Sequence, residues 1–90
     1  MDKVKIVKDA KRVLGERLSA APEFDLFQSI DIQLDYLLQI LQGFSDNRDK
    51  LKEINVGVLA VREFEESDPD LARALKKVQY VVYKMTGGVG

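Results

Sequence analysis

Apolar side chains recur every three or four residues along the first stretch of the chain, from about residue 2 to residue 20. The apolar positions are Val4, Val7, Ala10, Val13, Leu14 and Leu18. This spacing places them on one face of a helix. The dipeptide Ala21-Pro22 interrupts the pattern, because proline is not tolerated inside a helix. The sequence therefore predicts a first helix that ends near Ala20.

A second helix is predicted from Pro22 to about Gln42. Proline suits the first turn of a helix, and the acidic residues Glu23 and Asp25 favour a helix N-terminus through the helix dipole. Gly43 fits the left-handed position just beyond the C-terminal end. The main apolar stripe of this helix consists of Phe27, Ile30, Leu34, Leu37 and Leu41.

The third segment, roughly residues 48–66, has a less uniform pattern. Residues 54–61, INVGVLAV, are apolar on nearly every side, and Gly57 lowers helix propensity by about 1 kcal/mol. These eight residues alone are also compatible with a buried strand. Their helical flanks favour a central buried helix, and a break near Ile54-Asn55 would let Asn55 cap its second piece.

A last helix follows the tripeptide Ser67-Asp68-Pro69. Asp68 is its expected N-cap, Pro69 its first residue, and Gly87 and Gly88 are expected to end it. Its apolar seam consists of Leu71, Leu75, Val78, Val82 and Met85. Together the four patterns predict an all-α fold, a small antiparallel bundle of four to five helices that forms a single domain over residues 1–90.

Composition narrows the range of functions. The 90 residues contain no Cys and no His, which removes thiolate nucleophiles, the commonest general base and the commonest transition-metal ligand. A chain of this length buries only about 60–65% of its unfolded surface, which leaves little room for an enclosed substrate cavity. We therefore expect a binding module that is not an enzyme and holds no cofactor and no metal.

Nothing in the sequence predicts a targeting segment or a membrane-spanning helix. Lysines break the first apolar run, and the longest uncharged stretch, residues 36–45, is far shorter than the roughly 20 apolar residues that span a bilayer. We expect a cytoplasmic protein without membrane contact. The net charge of −1 argues against a dedicated nucleic-acid binder.

The near-neutral total conceals blocks of charge. Residues 20–47 carry five acidic and no basic side chains, and residues 62–70 carry five acidic and one basic. The last helix is basic instead, with Arg73, Lys76, Lys77 and Lys84 beside Tyr80 and Tyr83. Contact with nucleic acid is one interpretation of this basic cluster. A solvated surface is preferred, because cations near a helix C-terminus complement its dipole.

The second helix has another apolar face, formed by Ile32, Tyr36 and Ile40 and flanked by Asp35 and Gln39. A helix that is apolar on two faces is either central in its bundle or offers one face to a partner. Tyr36 beside carboxylates resembles an interface anchor with a charged rim, and it is equally compatible with a core tyrosine.

The densest acidic segment is residues 62–70. Asp68 and Asp70 have structural duties at a helix N-terminus and Phe64 is expected to pack inward, whereas Glu63 and Glu66 have no such duty. Metal binding is disfavoured, since di-iron bundles need Glu-x-x-His pairs. Paired-carboxylate hydrolysis needs a cleft that a bundle of this size lacks. Two interpretations remain, an acidic docking surface for a basic partner and a solvated turn.

These same residues resemble a known family. The stretch LAVREFEESDPDLARALK at residues 59–76 is similar to the corresponding segment of small all-helical immunity proteins of type VI secretion systems. A weaker similarity covers residues 33–37 and 47–51. The nearest likeness is to members in Pseudomonas that protect against an effector degrading NAD and NADP. The similarity extends over about two-thirds of the chain and departs from the family in the last six residues.

The resemblance implies an immunity protein of the bacterial cytoplasm that binds the toxin domain of a cognate effector and covers its catalytic cleft. A cleft for a pyrophosphate cofactor is expected to be electropositive, so an acidic surface would complement it. The expected contact residues are Asp35, Tyr36, Gln39, Glu63, Glu65, Glu66 and Asp70. The alternative is a homo-oligomeric helical adaptor that uses the Ile32, Tyr36 and Ile40 face or the last helix.

Overall fold

Four helices make up most of the computed structural model, which describes residues 1–87. The first, α1, spans Lys3–Ala20 and begins at Asp2, whose carboxylate accepts the Lys5 backbone N–H at 3.0 Å. The second, α2, spans Asp25–Leu41 and is followed by Gly43 with φ of 81°. The bounds of α1, the end of α2 and the left-handed glycine agree with the sequence pattern.

The start of α2 differs from the prediction. Pro22 and Glu23 lie in the turn before the helix, and the extended residue Phe24 is the N-cap. The Phe24 ring packs edge-on against Phe27, with centroids 4.8 Å apart, and the Gln28 side chain donates to the Pro22 carbonyl at 2.7 Å. These contacts hold the chain in a turn and delay the helix by three residues.

The third segment is broken where the pattern predicted. A short 3₁₀ turn at Leu51–Glu53 precedes α3, Val56–Leu59, which continues into a π-helical turn at Ala60–Phe64. Asn55 occupies the N-cap position of α3 but makes no cap hydrogen bond. Its side chain instead accepts from the Gln33 amide at 2.9 Å, which ties the break to α2.

The last helix, α4, spans Pro69–Met85. Asp68 caps it by accepting the Leu71 backbone N–H at 3.3 Å, and Pro69 is its first residue, as predicted. Gly87, with φ of 81°, follows its end, whereas Gly88 lies outside the described residues.

The packing order places α1 and α4 in the middle: α1 packs against α2 and α4, and α4 also packs against α3 and the π turn. The predicted central position of residues 54–61 is therefore wrong. Val56 and Ala60 enter the core, but Val58 and Val61 are 52% and 56% exposed. The core consists of Val7, Ala10, Leu14, Ile30, Leu34, Leu37, Ile40, Leu51, Ile54, Val56, Ala60, Phe64, Leu71, Ala72, Leu75, Val78 and Val82.

The described residues contain no strand, so the all-α prediction with four helices is confirmed for residues 1–87. Over the same range, no helix has both the length and the hydropathy needed to cross a bilayer.

Candidate functional site

The acidic turn, residues 62–70, runs from within the π turn to the first two residues of α4, and three of its five carboxylates form ion pairs. Its most restrained carboxylate is Asp68, which accepts two hydrogen bonds from the Arg17 guanidinium, at 2.7 and 3.0 Å. These bonds lower the pKa of Asp68 and raise that of Arg17, and the Leu71 N–H further lowers the pKa of Asp68. This pair anchors the acidic turn to α1.

Two further carboxylates of the acidic turn have cationic partners on α4. Glu65 accepts from Lys76 at 2.7 Å, and Asp70 accepts from Arg73, three residues along the helix, at 3.3 Å. Both pairs are largely open to solvent, where an ion pair contributes about 0–1 kcal/mol. Repulsion among the five carboxylates is therefore offset at three of them.

Glu63 and Glu66 are the remaining carboxylates of the acidic turn. Both are exposed, and neither forms an ion pair with another residue in the range 1–87. The Ser67 hydroxyl donates to the backbone carbonyl of Glu63 at 3.2 Å, so the backbone here is restrained while the two carboxylates face solvent. They form the uncompensated negative charge of the acidic turn.

The three predicted residues of α2 lie elsewhere. Phe27 of α2 stacks on Phe64 beside the acidic turn, with centroids 5.7 Å apart. Asp35 and Gln39 follow Phe27 by eight and twelve residues, which places them roughly 12–18 Å further along the helix axis. The structure thus separates the predicted contact residues into two groups.

Each predicted residue of α2 has an internal partner. Asp35 forms an ion pair with Lys11 of α1. The Tyr36 hydroxyl donates to the Asn47 carbonyl at 2.8 Å and accepts the Lys50 N–H at 3.1 Å. The backbone carbonyl of Gln39 accepts N–H groups of residues 44 and 45. The bonds of Tyr36 and Gln39 fasten the loop after α2 onto the second apolar face of that helix.

That loop divides the second apolar face of α2. Ile40 is only 5% exposed and belongs to the core, and Tyr36 is half-buried. Ile32 alone among the three remains open, at 69% exposure. The continuous face that an adaptor interface through Ile32, Tyr36 and Ile40 would require is therefore not available.

The sequence indicates only half of a surface between α3 and α4, because it shows Tyr80 and Tyr83 on the last helix but predicts that Val58 and Val61 are buried. We call Val58, Val61, Tyr80 and Tyr83 the apolar patch, and their exposed fractions are 52%, 56%, 50% and 41%. The two tyrosine rings stack with centroids 6.3 Å apart, and the Lys84 ammonium lies 5.5 Å from the centroid of the Tyr80 ring. The apolar patch borders a shallow groove of about 530 Å³.

The groove depends on a close approach of α3 to α4. The Gly57 N–H donates to the Gln79 side-chain oxygen at 2.9 Å, and the Gln79 amide donates to the Ile54 carbonyl at 3.3 Å. A Cβ on residue 57 would lie 2.6 Å from the Gln79 Cβ, so only glycine fits here. In the structure, α3 is oriented so that Val56 and Ala60 are buried while Val58 and Val61 are exposed. The sequence does not show this orientation, because residues 54–61 are apolar on nearly every side.

No group of three or more His, Cys, Asp or Glu side chains within residues 1–87 is placed to hold a metal ion. The acidic turn and the apolar patch offer ionic and apolar contacts at the surface. Such contacts suit the recognition of another macromolecule.

Comparisons with known proteins agree with this architecture. The Tsi6 family model matches residues 2–84. The chain is 35% identical over 81 residues to the immune protein Tsi6 of Pseudomonas aeruginosa, covering 90% of this chain and 86% of that protein. It also matches a chain in the structure of Tse6 in complex with Tsi6, with TM-score 0.91, 32% identity and coverage of 100% and 96%. The structure of Tsi6 from Pseudomonas aeruginosa gives TM-score 0.86 and 34% identity, with coverage of 91% and 95%.

Proposed function

The chain belongs to the Tsi6 family, and from this premise we propose that it is an immunity protein of a type VI secretion system. It binds the toxin domain of a cognate effector and blocks the active site of that domain. One observation carries the proposal: the chain matches, with TM-score 0.91 and 32% identity, a chain from the structure of Tse6 in complex with Tsi6.

We propose that protection works by obstruction alone. The chain has neither His nor Cys, and its acidic and apolar surfaces suit contact with a protein. In this proposal the chain performs no chemistry of its own and needs no cofactor. Residues 1–90 act as one domain, in the cytoplasm of the bacterium that produces the effector.

The cognate toxin in this proposal is an NAD(P) glycohydrolase. An enzyme that accepts a dinucleotide must accommodate its pyrophosphate, so the mouth of its cleft is expected to be electropositive. Glu63 and Glu66 project uncompensated charge from a restrained backbone, which suits such a mouth. Glu65 and Asp70 add charge at the same turn, although each shares its charge with a cation on α4.

The contacts expected from Asp35, Tyr36 and Gln39 stay a prediction. An interface of ordinary size covers about 800 Å² on each partner, enough to extend from the acidic turn to the second half of α2. Their internal bonds give these residues a second, structural role, so substitutions there would change the loop after α2 as well as any contact. The acidic turn is the cleaner place to test the interface.

The decisive test of the immunity role is co-expression. The toxin domain encoded beside this gene is expressed with and without the chain, and both growth and cellular NAD(P) are followed. We expect growth arrest and loss of NAD(P) with the toxin alone, and recovery of both on co-expression. Toxicity that persists on co-expression would contradict the immunity role. Arrest without loss of NAD(P), relieved by the chain, would retain immunity and reject the glycohydrolase.

Charge reversal tests the acidic turn. The double variant Glu63→Lys/Glu66→Lys should weaken toxin binding about 10- to 100-fold, because each substitution replaces attraction by repulsion. Asp46→Lys/Asp49→Lys is the matched control, since it changes the net charge equally at two exposed positions in the loop after α2, beyond the end of that helix that lies farther from the acidic turn. Isothermal titration calorimetry measures both affinities. Equal affinities for two folded double variants would place the interface elsewhere.

A further inference from the structure

The apolar patch groups four exposed apolar side chains at one place, which is unusual on the surface of a chain of 90 residues. Its four side chains line or border one groove between α4 and the segment formed by α3 and the π turn. Ile32, by contrast, has no second exposed apolar side chain in the depression that it lines, where Tyr36 is half-buried and Ile54 is buried. Single exposed apolar residues are normal on protein surfaces, but contiguous ones mark interaction sites.

The apolar patch is also preformed. Gln79 holds α3 against α4 through its two backbone hydrogen bonds, and the glycine at residue 57 lets the helices approach closely. The stacked rings of Tyr80 and Tyr83 have few side-chain torsions to immobilise on binding. A surface that is ordered before the partner arrives loses little entropy on association, which favours tight binding.

The apolar patch and the acidic turn form one continuous surface. Val61 and Glu66 line the same shallow depression of about 440 Å³. In a regular α-helix, residues five positions apart are separated by roughly 140° around the axis. The π turn at Ala60–Phe64 adds one residue to the helical turn, which reduces that angle to roughly 40°. Glu66 thereby lies nearer to Val61 around the axis than it would on a regular helix, and Glu63 lines the same depression.

We propose that the apolar patch is the energetic centre of the contact with the toxin domain, and that the acidic turn is its rim. This inference rests on the proposed function. The partner would insert an apolar side chain into the groove between α3 and α4 and place a lysine or arginine beside Glu63 and Glu66. An apolar centre inside a charged rim is the arrangement in which few residues supply most of the binding energy.

A second copy of this chain fits the groove less well. Contacts across a two-fold axis pair each surface with itself. An axis through the groove would gather Arg62 and Lys84 of both copies around it, because both residues flank the apolar patch. Neither has an ion-pair partner within residues 1–87, and like charges across an interface are unfavourable. A partner with an opposite charge pattern avoids this repulsion.

The test compares two matched double truncations. Tyr80→Ala/Tyr83→Ala removes the aromatic part of the apolar patch, and Ile32→Ala/Phe44→Ala removes two exposed apolar side chains elsewhere. Alanine is the best helix former, so the tyrosine variant should stay folded, which circular dichroism checks. Against the purified toxin domain we expect the tyrosine variant to lose about 100-fold in affinity or more, and the control less than about 3-fold.

The outcomes separate the two proposals. Absence of binding by the unaltered chain overturns the immunity role and the apolar patch together. Tight binding by the unaltered chain and by the folded tyrosine variant retains immunity and overturns the assignment of the apolar patch. If light scattering shows the unaltered chain as a dimer that the tyrosine variant dissociates, a second copy is the occupant and the assignment fails. Val58→Ala/Val61→Ala provides an independent check from the α3 side, with a weaker affinity expected.

Discussion

The same substitution, glycine to alanine, should have opposite effects at two helical positions of this protein. Gly15 lies in α1 and Gly57 in α3. Helix propensity alone predicts that either change stabilises the fold by about 1 kcal/mol, because alanine loses less backbone entropy than glycine. The surroundings of Gly15 leave this expected stabilisation in place, whereas those of Gly57 reverse it.

A Cβ on Gly15 would meet nothing within 4 Å, so Gly15→Ala should stabilise the protein by about 0.5–1 kcal/mol. A Cβ on Gly57 would lie 2.6 Å from the Gln79 Cβ and 2.7 Å from its Cγ. The Gln79 Cβ is fixed by the backbone of α4 and cannot rotate away, so α3 must move from α4. Overpacking costs about 1–3 kcal/mol and a weakened hydrogen bond about 1 kcal/mol, while helix propensity returns about 1 kcal/mol, so Gly57→Ala should destabilise the protein by about 1–3 kcal/mol.

Urea unfolding followed by circular dichroism measures both free energies of unfolding. For a domain of this size each kcal/mol corresponds to about 4–8 °C in melting temperature, so thermal unfolding provides a second readout. Gly15→Ala serves as the control for propensity. A Gly57→Ala variant at least as stable as the unaltered chain would refute the reasoning, because it would mean that α3 and α4 adjust to the added methyl group without cost.

Two further predictions concern the contacts that position the surface. Asp68→Asn keeps the helix cap but loses the charged bond to Arg17, so it should cost about 1–2 kcal/mol at neutral pH. Because the pKa of Asp68 is lowered, its contribution is present above pH 4 and lost as pH falls through the folded-state pKa; urea titrations should show the variant losing less stability than the unaltered chain over that acidic range. Tyr36→Phe removes two hydrogen bonds to the loop after α2 and should cost about 1–2 kcal/mol, with faster hydrogen exchange in residues 44–50.

Much of the fold could be predicted from the sequence, since its signals are local. The N-cap Asp68 and the proline after it define the start of α4, and the left-handed Gly43 follows the end of α2. The break at residues 54–55 appears because an asparagine interrupts apolar residues. Each of these depends on backbone chemistry within a few residues, which is independent of the rest of the fold.

Contacts between distant residues could not be predicted in this way. Arg17 and Asp68 are 51 positions apart, and nothing in the charge pattern pairs them rather than their neighbours. The exposure of Val58 and Val61 depends on which side of α3 meets α4, and an apolar run contains no periodicity to show it. The second apolar face of α2 is visible in the sequence as a periodic pattern. The loop that covers this face has no such pattern, so its position on α2 could not be predicted.

The π turn connects the local features that the sequence predicts with the long-range contacts that it does not. The acidic segment is visible in the sequence, but its position beside the apolar patch depends on the π turn. Counted along a regular helix, Glu66 would lie far around the axis from Val61, and an acidic segment would stand apart from an apolar one. With one residue added at Ala60–Phe64, both line the same depression. Such turns are weaker than α-helical ones and persist where surrounding contacts require them. Here Phe64 is buried against Phe27, so core packing holds the turn that presents the carboxylates beside the apolar patch.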